Sequence, residues 1–353
     1  MKREHLVIRA PNWVGDLVMA TPVLEAACGP NGWPKVTIAM RKNLAPLLQD
    51  GHLADRIVIV DKRSEARVLR DLNADAIMLL TNSLGAAWRA FRAGIPVRAG
   101  AALGIRRALL THGVVPATSE GRRVPIPTAH LHRDIAGLLD VQVPNLHPRL
   151  AIADATRERM TEVLRAAGLG EGERYVACAP GAAFGAAKLW PPKFIAIVLD
   201  ELWERRGLRA VITCGPGEES LVHEVVRAAR TDVISLAESP RDLIMLAPLI
   251  ADSELLVVGD SGPRWLAAAF DVPCVSIMGP NFPELTASSL EWCEIVRRED
   301  LECSPCLRRV CPLGHHECMQ GLPPSRVLDA GLGLLDRRAA FEQAELEQLS
   351  LSK

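Results

Sequence analysis

The chain has 353 residues, 49% apolar and 24% charged, an ordinary soluble composition in a chain longer than one core usually serves, so two domains are expected. A formal charge of -1 argues against a general nucleic-acid binder, although local patches can still act. The start, "MKREHLVIRAPNW", carries no signal-peptide pattern, and no run approaches the length of a membrane span. The chain is therefore expected to be cytoplasmic or at most peripheral to a membrane.

"HLVIRA" (5–10) predicts a strand and residues 17–27 a helix. "KVTIAM" (35–40), "RIVIV" (56–60) and "DAIMLL" (75–80) predict further strands, with helical stretches at 64–72 and 83–91. Apolar strands separated by helices signal a parallel sheet covered on both faces. The alternation breaks over 94–130, which is rich in Gly, Pro and Arg, and 140–150 has the composition of a linker. It resumes with strands at 175–179, 210–215, 232–237, 254–259 and 273–279, and helices near 192–206, 218–230, 241–251 and 263–270. The expectation is α/β: two Rossmann-like, doubly wound parallel-sheet domains at 1–150 and 151–330, then a C-terminal helix and tail at 331–353. The two would face each other across a cleft, with ligand at the carboxyl ends of the strands.

Four strand ends are candidates to carry chemistry. In "VVGDSGPRWLAAAF" (257–270) a strand gives way to Asp260, Ser261 and Gly262, with Pro263 at the first helical position; such a turn offers backbone N–H groups to an anion. An ordinary structural turn is the plain alternative. "APGAAFGAAKLWPPKF" (179–194) holds Lys188 as its only charge before the helix, placed to meet a diphosphate unless it is simply a surface lysine. In "CGPGEES" (214–220), Glu218 could bind a ribose hydroxyl or cap the next helix. Near the N-terminus, "APNWVGDLVMATPVLEAA" (10–27) sets Asp16 where strand passes to helix, as an N-cap or as a catalytic base. Neither G-x-G-x-x-G after the first strand nor G-x-x-x-x-G-K-[ST] occurs, which disfavours nicotinamide and P-loop enzymes.

"WVGDLVMATPVL", "PGAAFGAAKLWP", "GDSGPRWLAAAF" and "IMGPNFPE" together resemble glycosyltransferase family 9, the ADP-heptose:lipopolysaccharide heptosyltransferases, from about residue 5 to residue 330. The second motif is most similar to the heptosyltransferase II branch. The resemblance implies a GT-B arrangement in which the first domain binds acceptor and the second the ADP-sugar. It further implies inverting transfer of heptose from ADP-heptose to the inner core of lipopolysaccharide (a lipid A–Kdo acceptor), with no metal needed for the transfer. Asp16 would be the general base, and Lys188 with Asp260, Ser261 and Gly262 would surround the diphosphate. Where relatives carry Met or Ser and then His, this chain has Arg264 and Trp265. Arg264 would add charge beside the leaving group, or the lost His would alter the donor or weaken activity. Another sugar transferase or an epimerase on the same fold is the alternative enzyme, and a non-catalytic sugar-nucleotide binder the alternative outside enzymes.

Two features stand apart. From Trp88 to Arg133 there are eight Arg and three His against Glu120 alone, which suits an acceptor at the cytoplasmic face of the inner membrane or a solvated basic loop. "CSPCLRRVCPLGHHEC" (303–318) places Cys303, Cys306, Cys311 and Cys318 within one short segment. A structural zinc, an iron–sulfur cluster, disulfides and free thiols all remain open there.

Overall fold

Short runs of aliphatic residues line up side by side because strands covered on both faces must be apolar throughout. The computed structural model describes residues 3–119, 122–239 and 242–351. The chain divides into two compact units, 1–153 with 284–289, and 154–283 with 290–353.

The first unit runs β1 (His5–Arg9), α1 (Val14–Cys28), β2 (Lys35–Met40), β3 (Ile57–Ile59), α2 (Glu65–Asp71), β4 (Ala76–Leu79), α3 (Leu84–Arg92), β5 (Val97–Ala101) and β6 (His112–Val114). A two-residue hairpin, β7 (Thr118–Ser119) with β8 (Arg122–Arg123), and α4 (Thr128–Gly137) complete it. The six long strands are parallel in the order β3-β2-β1-β4-β5-β6. In the centre, Ile8 lies between Ile38 and Met78 in register. Helix α1 begins at Val14 rather than 17 and contains Pro22. Proline has no N–H for the carbonyl four residues back, and Thr21 Oγ1 donates to that Val18 oxygen instead, at 2.8 Å. The same hydroxyl accepts from the Arg149 N–H at 3.1 Å, which pins the 140–150 segment to α1. The 94–130 region is not a break in the sheet: β5 and β6 extend it.

The second unit runs α5 (Asp154–Ala166), β9 (Tyr175–Ala179), α6 (Pro192–Arg206), β10 (Arg209–Ile212), α7 (Glu219–Ala228), β11 (Val233–Ser235), α8 (Leu246–Ala251), β12 (Leu255–Gly259), α9 (Pro263–Ala269), β13 (Cys274–Ile277), β14 (Cys293–Val296), α10 (Glu317–Gln320) and α11 (Pro324–Leu351). Its parallel sheet has the order β11-β10-β9-β12-β13-β14, repeating the pattern of the first. Helix expected over 241–251 is a 3-10 turn, Leu243–Met245, followed by α8; residue 241 lies outside the described residues. Helix α11 is amphipathic at its start, where Val327, Leu328, Leu334 and Leu335 enter the core of this unit, while residues 341–350 are exposed. Among the described residues, no helix is long and apolar enough to cross a membrane.

Candidate active site

In each sheet the strand order reverses beside the unit's first strand, between β1 and β4 and between β9 and β12. Loops leaving neighbouring strands at such a point go to opposite faces and open a crevice at the carboxyl edge.

At the first of these points β1 ends at Arg9 and α1 opens at Val14, after four intervening residues. Trp13, extended and without a side-chain capping bond, is the N-cap, and half-buried Asp16 is the third helical residue. Asp16 is therefore not the N-cap, and as a carboxylate in the first turn it is favoured by the helix dipole. Beneath the loop lies a charged group that the apolar patterning concealed. Glu65, at the start of α2 and fully buried, accepts from Arg9 Nε and Arg89 Nε, each at 2.6 Å, with Arg41 Nη2 at 3.7 Å. Arg9 also donates to Ala10 O and, at 2.9 Å, to Asn12 Oδ1; Asn12 Nδ2 reaches Thr81 Oγ1 at 3.1 Å. Arg106, likewise buried, donates to Thr81 O at 2.8 Å. Burial lowers the Arg9 pKa, and the Glu65 charge opposes that shift. The result is a braced β1–α1 loop whose first helical turn presents Asp16. A signal existed in the sequence: Arg9 closes an otherwise apolar strand, and a charge there needs a partner.

His132 of α4 is fully enclosed near the backbone of Met19 and Leu80, and burial pushes its pKa down to about 4. It is held neutral.

The second point brings together Lys188, from the loop after β9, and Asp260, from the turn after β12. Lys188 Nζ donates to Asp260 Oδ2 at 2.5 Å and to Asp260 O at 3.0 Å. Asn281, after β13, donates to the same Oδ2 at 2.8 Å. Lys188 also lies 4.8 Å from the centre of the Phe184 ring. Both charged side chains are largely buried, 11% and 7% exposed. The neighbouring Ser261 Oγ is buried with no hydrogen-bond partner among the described residues, the kind of orphaned hydroxyl a ligand satisfies. Glu218, the N-cap of α7, accepts from the Gly215 N–H at 2.8 Å, and its carboxylate fills the space a Cβ on Gly181 would need. Gly262 leads into α9, which has only seven residues. Arg264 is turned inward, 1% exposed, its Nε donating to Cys293 Sγ at 3.2 Å and its guanidinium 4.2 Å from the Trp265 ring centre. Hydrogen bonding with Cys274 and the Arg264 charge hold the Cys293 thiol down to about 7.

Cys303, Cys306, Cys311 and Cys318 are free and half-buried. Their loop is anchored by the Cys306 and Leu307 N–H groups on Pro280 O, at 3.0 and 2.8 Å, and by His316 Nε2 at 2.8 Å from Ala187 O. Among the described residues, no set of three or more His, Cys, Asp or Glu side chains is arranged to hold a metal ion. Through the Ala187 contact the segment buttresses the Lys188 loop.

Two parallel six-stranded α/β units define the GT-B class of fold. Residues 63–317 match the sequence profile of glycosyltransferase family 9 (heptosyltransferase), and the chain belongs to that family. It is 31% identical over 170 residues to lipooligosaccharide heptosyltransferase 2 of Campylobacter jejuni, 47% of this chain and 53% of that one, so it spans about half the length of that relative. Against lipopolysaccharide heptosyltransferase 2 of Salmonella typhimurium it is 25% identical over 351 residues, covering 92% and 96% of the two chains. The solved structure of ADP-heptose lps heptosyltransferase II from E. coli aligns with a TM-score of 0.76 at 24% identity, over 95% of this chain and 99% of that one.

Proposed function

We propose that the chain transfers a heptose from ADP-heptose, with inversion, to the inner core of a nascent lipopolysaccharide at the cytoplasmic face of the inner membrane. The first unit binds the acceptor and the second the donor. The observation that carries this is the Lys188–Asp260 pair beside the orphaned Ser261 hydroxyl, in a family whose full-length relatives are named for heptosyl transfer.

Asp16 takes the proton of the acceptor hydroxyl as that oxygen bonds to the anomeric carbon. The bond from that carbon to the ADP oxygen breaks, and its electron pair leaves on the diphosphate. A single displacement of this kind inverts the anomeric centre. Lys188 has three N–H donors, two of them engaged by Asp260, which leaves one directed by that grip for a diphosphate oxygen. Preorganised charge of this sort, aimed where negative charge grows, is usually the largest contribution to catalysis. Asp260 and Asn281 position the ammonium, Ser261 and Gly262 line the turn, and Glu218 is placed for the nucleotide's ribose. Arg264 supports the turn from beneath. The ion network around Glu65 braces the first-unit loop that leads to Asp16.

The transfer itself uses no metal in this reading. Separately, the four thiols of 303–318 are proposed to close on one structural zinc ion or iron–sulfur cluster, supported by their C-x₂-C spacing and shared loop. Elemental analysis of anaerobically purified protein tests that; metal-free, folded protein with four titratable thiols contradicts it. The transfer reading is tested by incubating the chain with ADP-heptose and a heptose-deficient core acceptor.

A further inference from the structure

Helix α3 is packed the unusual way round. Its small residues Ala86, Ala87 and Ala90 are buried, while Leu84, Trp88 and Phe91, one stripe along the opposite face, are 43%, 49% and 46% exposed. The Trp88 and Phe91 rings stack with centres 5.8 Å apart. Against α3 packs the 3-10 turn Gly104–Leu109, whose Ile105 is 78% exposed. Large apolar side chains gathered on a surface mark an interaction site.

The rim says what kind. Arg98 lies 5.4 Å from the centre of the Phe91 ring, and Arg92 and Arg107 are exposed on the same helix and turn. The chain as a whole is nearly neutral, so this is segregated positive charge. Aromatic and aliphatic side chains that enter the headgroup boundary, ringed by guanidinium groups that meet lipid phosphates, match an anionic bilayer surface.

We propose that α3 and the 104–109 turn seat the first unit on an anionic lipid surface, with Trp88, Phe91 and Ile105 as the inserted anchors. The proposal deepens the proposed function, resting on it only for the expectation of a membrane-borne acceptor. Co-sedimentation of the full chain with phosphatidylglycerol and with phosphatidylcholine vesicles tests it, with ADP calorimetry on the same samples. The expected result is binding to phosphatidylglycerol at least about tenfold stronger than to phosphatidylcholine and weakened by salt. Trp88→Ser/Phe91→Ser should lose at least about tenfold of it, and Arg92→Gln/Arg107→Gln should lose the salt dependence, both with ADP affinity unchanged. Absence of vesicle binding by the wild type, or equal binding by both variants, overturns the proposal. So does light scattering that shows a wild-type dimer and a monomeric Trp88→Ser/Phe91→Ser, which would make the face a self-association surface. Vesicle binding without any ADP binding would sustain the membrane seat and defeat the donor-site reading, so the two fail separately.

Discussion

In the proposed transfer Asp16 and Lys188 act in different ways, and their substitutions should separate. Asp16→Asn removes a proton acceptor while keeping the shape of the first turn, so turnover should fall by about 10²-fold or more. Its thermal stability should change little, by about 0.3–1 kcal/mol from the lost charge at the helix start. Turnover assays and thermal unfolding on one preparation check both. Lys188→Ala, by contrast, leaves Asp260 buried without its cation, and breaking such a pair costs about 3–5 kcal/mol. Lys188→Met/Asp260→Leu should recover much of that stability in denaturant unfolding yet regain no ADP affinity. Recovery of ADP affinity would detach the pair from the donor site. The carboxylate at Asp16, the lone Lys188 and the Asp260 turn were legible because each stands in a small or apolar stretch at a strand end. Glu65 was not, since a glutamate opening a helix looks like any first-turn acid until the fold encloses it with Arg9, Arg41 and Arg89.

Among the elements, α1 depends on Thr21 to complete what Pro22 cannot. Thr21→Val keeps the volume but strips the Val18 carbonyl and the Arg149 N–H of a partner, at about 1–3 kcal/mol for the buried carbonyl and less for the part-buried N–H. Equilibrium unfolding in urea measures it. Helix α4 sets a pH limit through His132. Its folded pKa, about 4, lies below the ordinary 6.5. Above pH 6.5 the imidazole is neutral folded and unfolded, and stability is full. As pH falls from 6.5 toward about 4 the unfolded chain takes up a proton that the folded one refuses, removing about 3 kcal/mol in all. His132→Gln should flatten that slope whatever its stability at neutral pH. The central strands were legible as unbroken apolar runs, whereas β5 and β6 were not. Gly100 and Gly113 face each other there, a Cβ on Gly100 falling 2.9 Å from Nη2 of buried Arg106 and one on Gly113 2.8 Å from Cβ of Ala102. Half-exposed, four-residue β14 offered no run to read.

At the scale of the whole molecule, two copies of one sheet order place Asp16 above a buried ion network in the first unit and the Lys188–Asp260 pair in the second, the division of work that the proposed transfer needs. The doubling was legible from the alternation of strands and helices, while the exact extent of each unit was not, because 284–289 groups with the first. The most direct measurement is mass spectrometry of a heptose-deficient core acceptor after incubation with ADP-heptose. Heptosyl transfer predicts that the wild-type chain adds one heptose per acceptor with one ADP released, and that Asp16→Asn binds ADP but adds almost none. Release of ADP with the acceptor unchanged, or full product from Asp16→Asn, would contradict it.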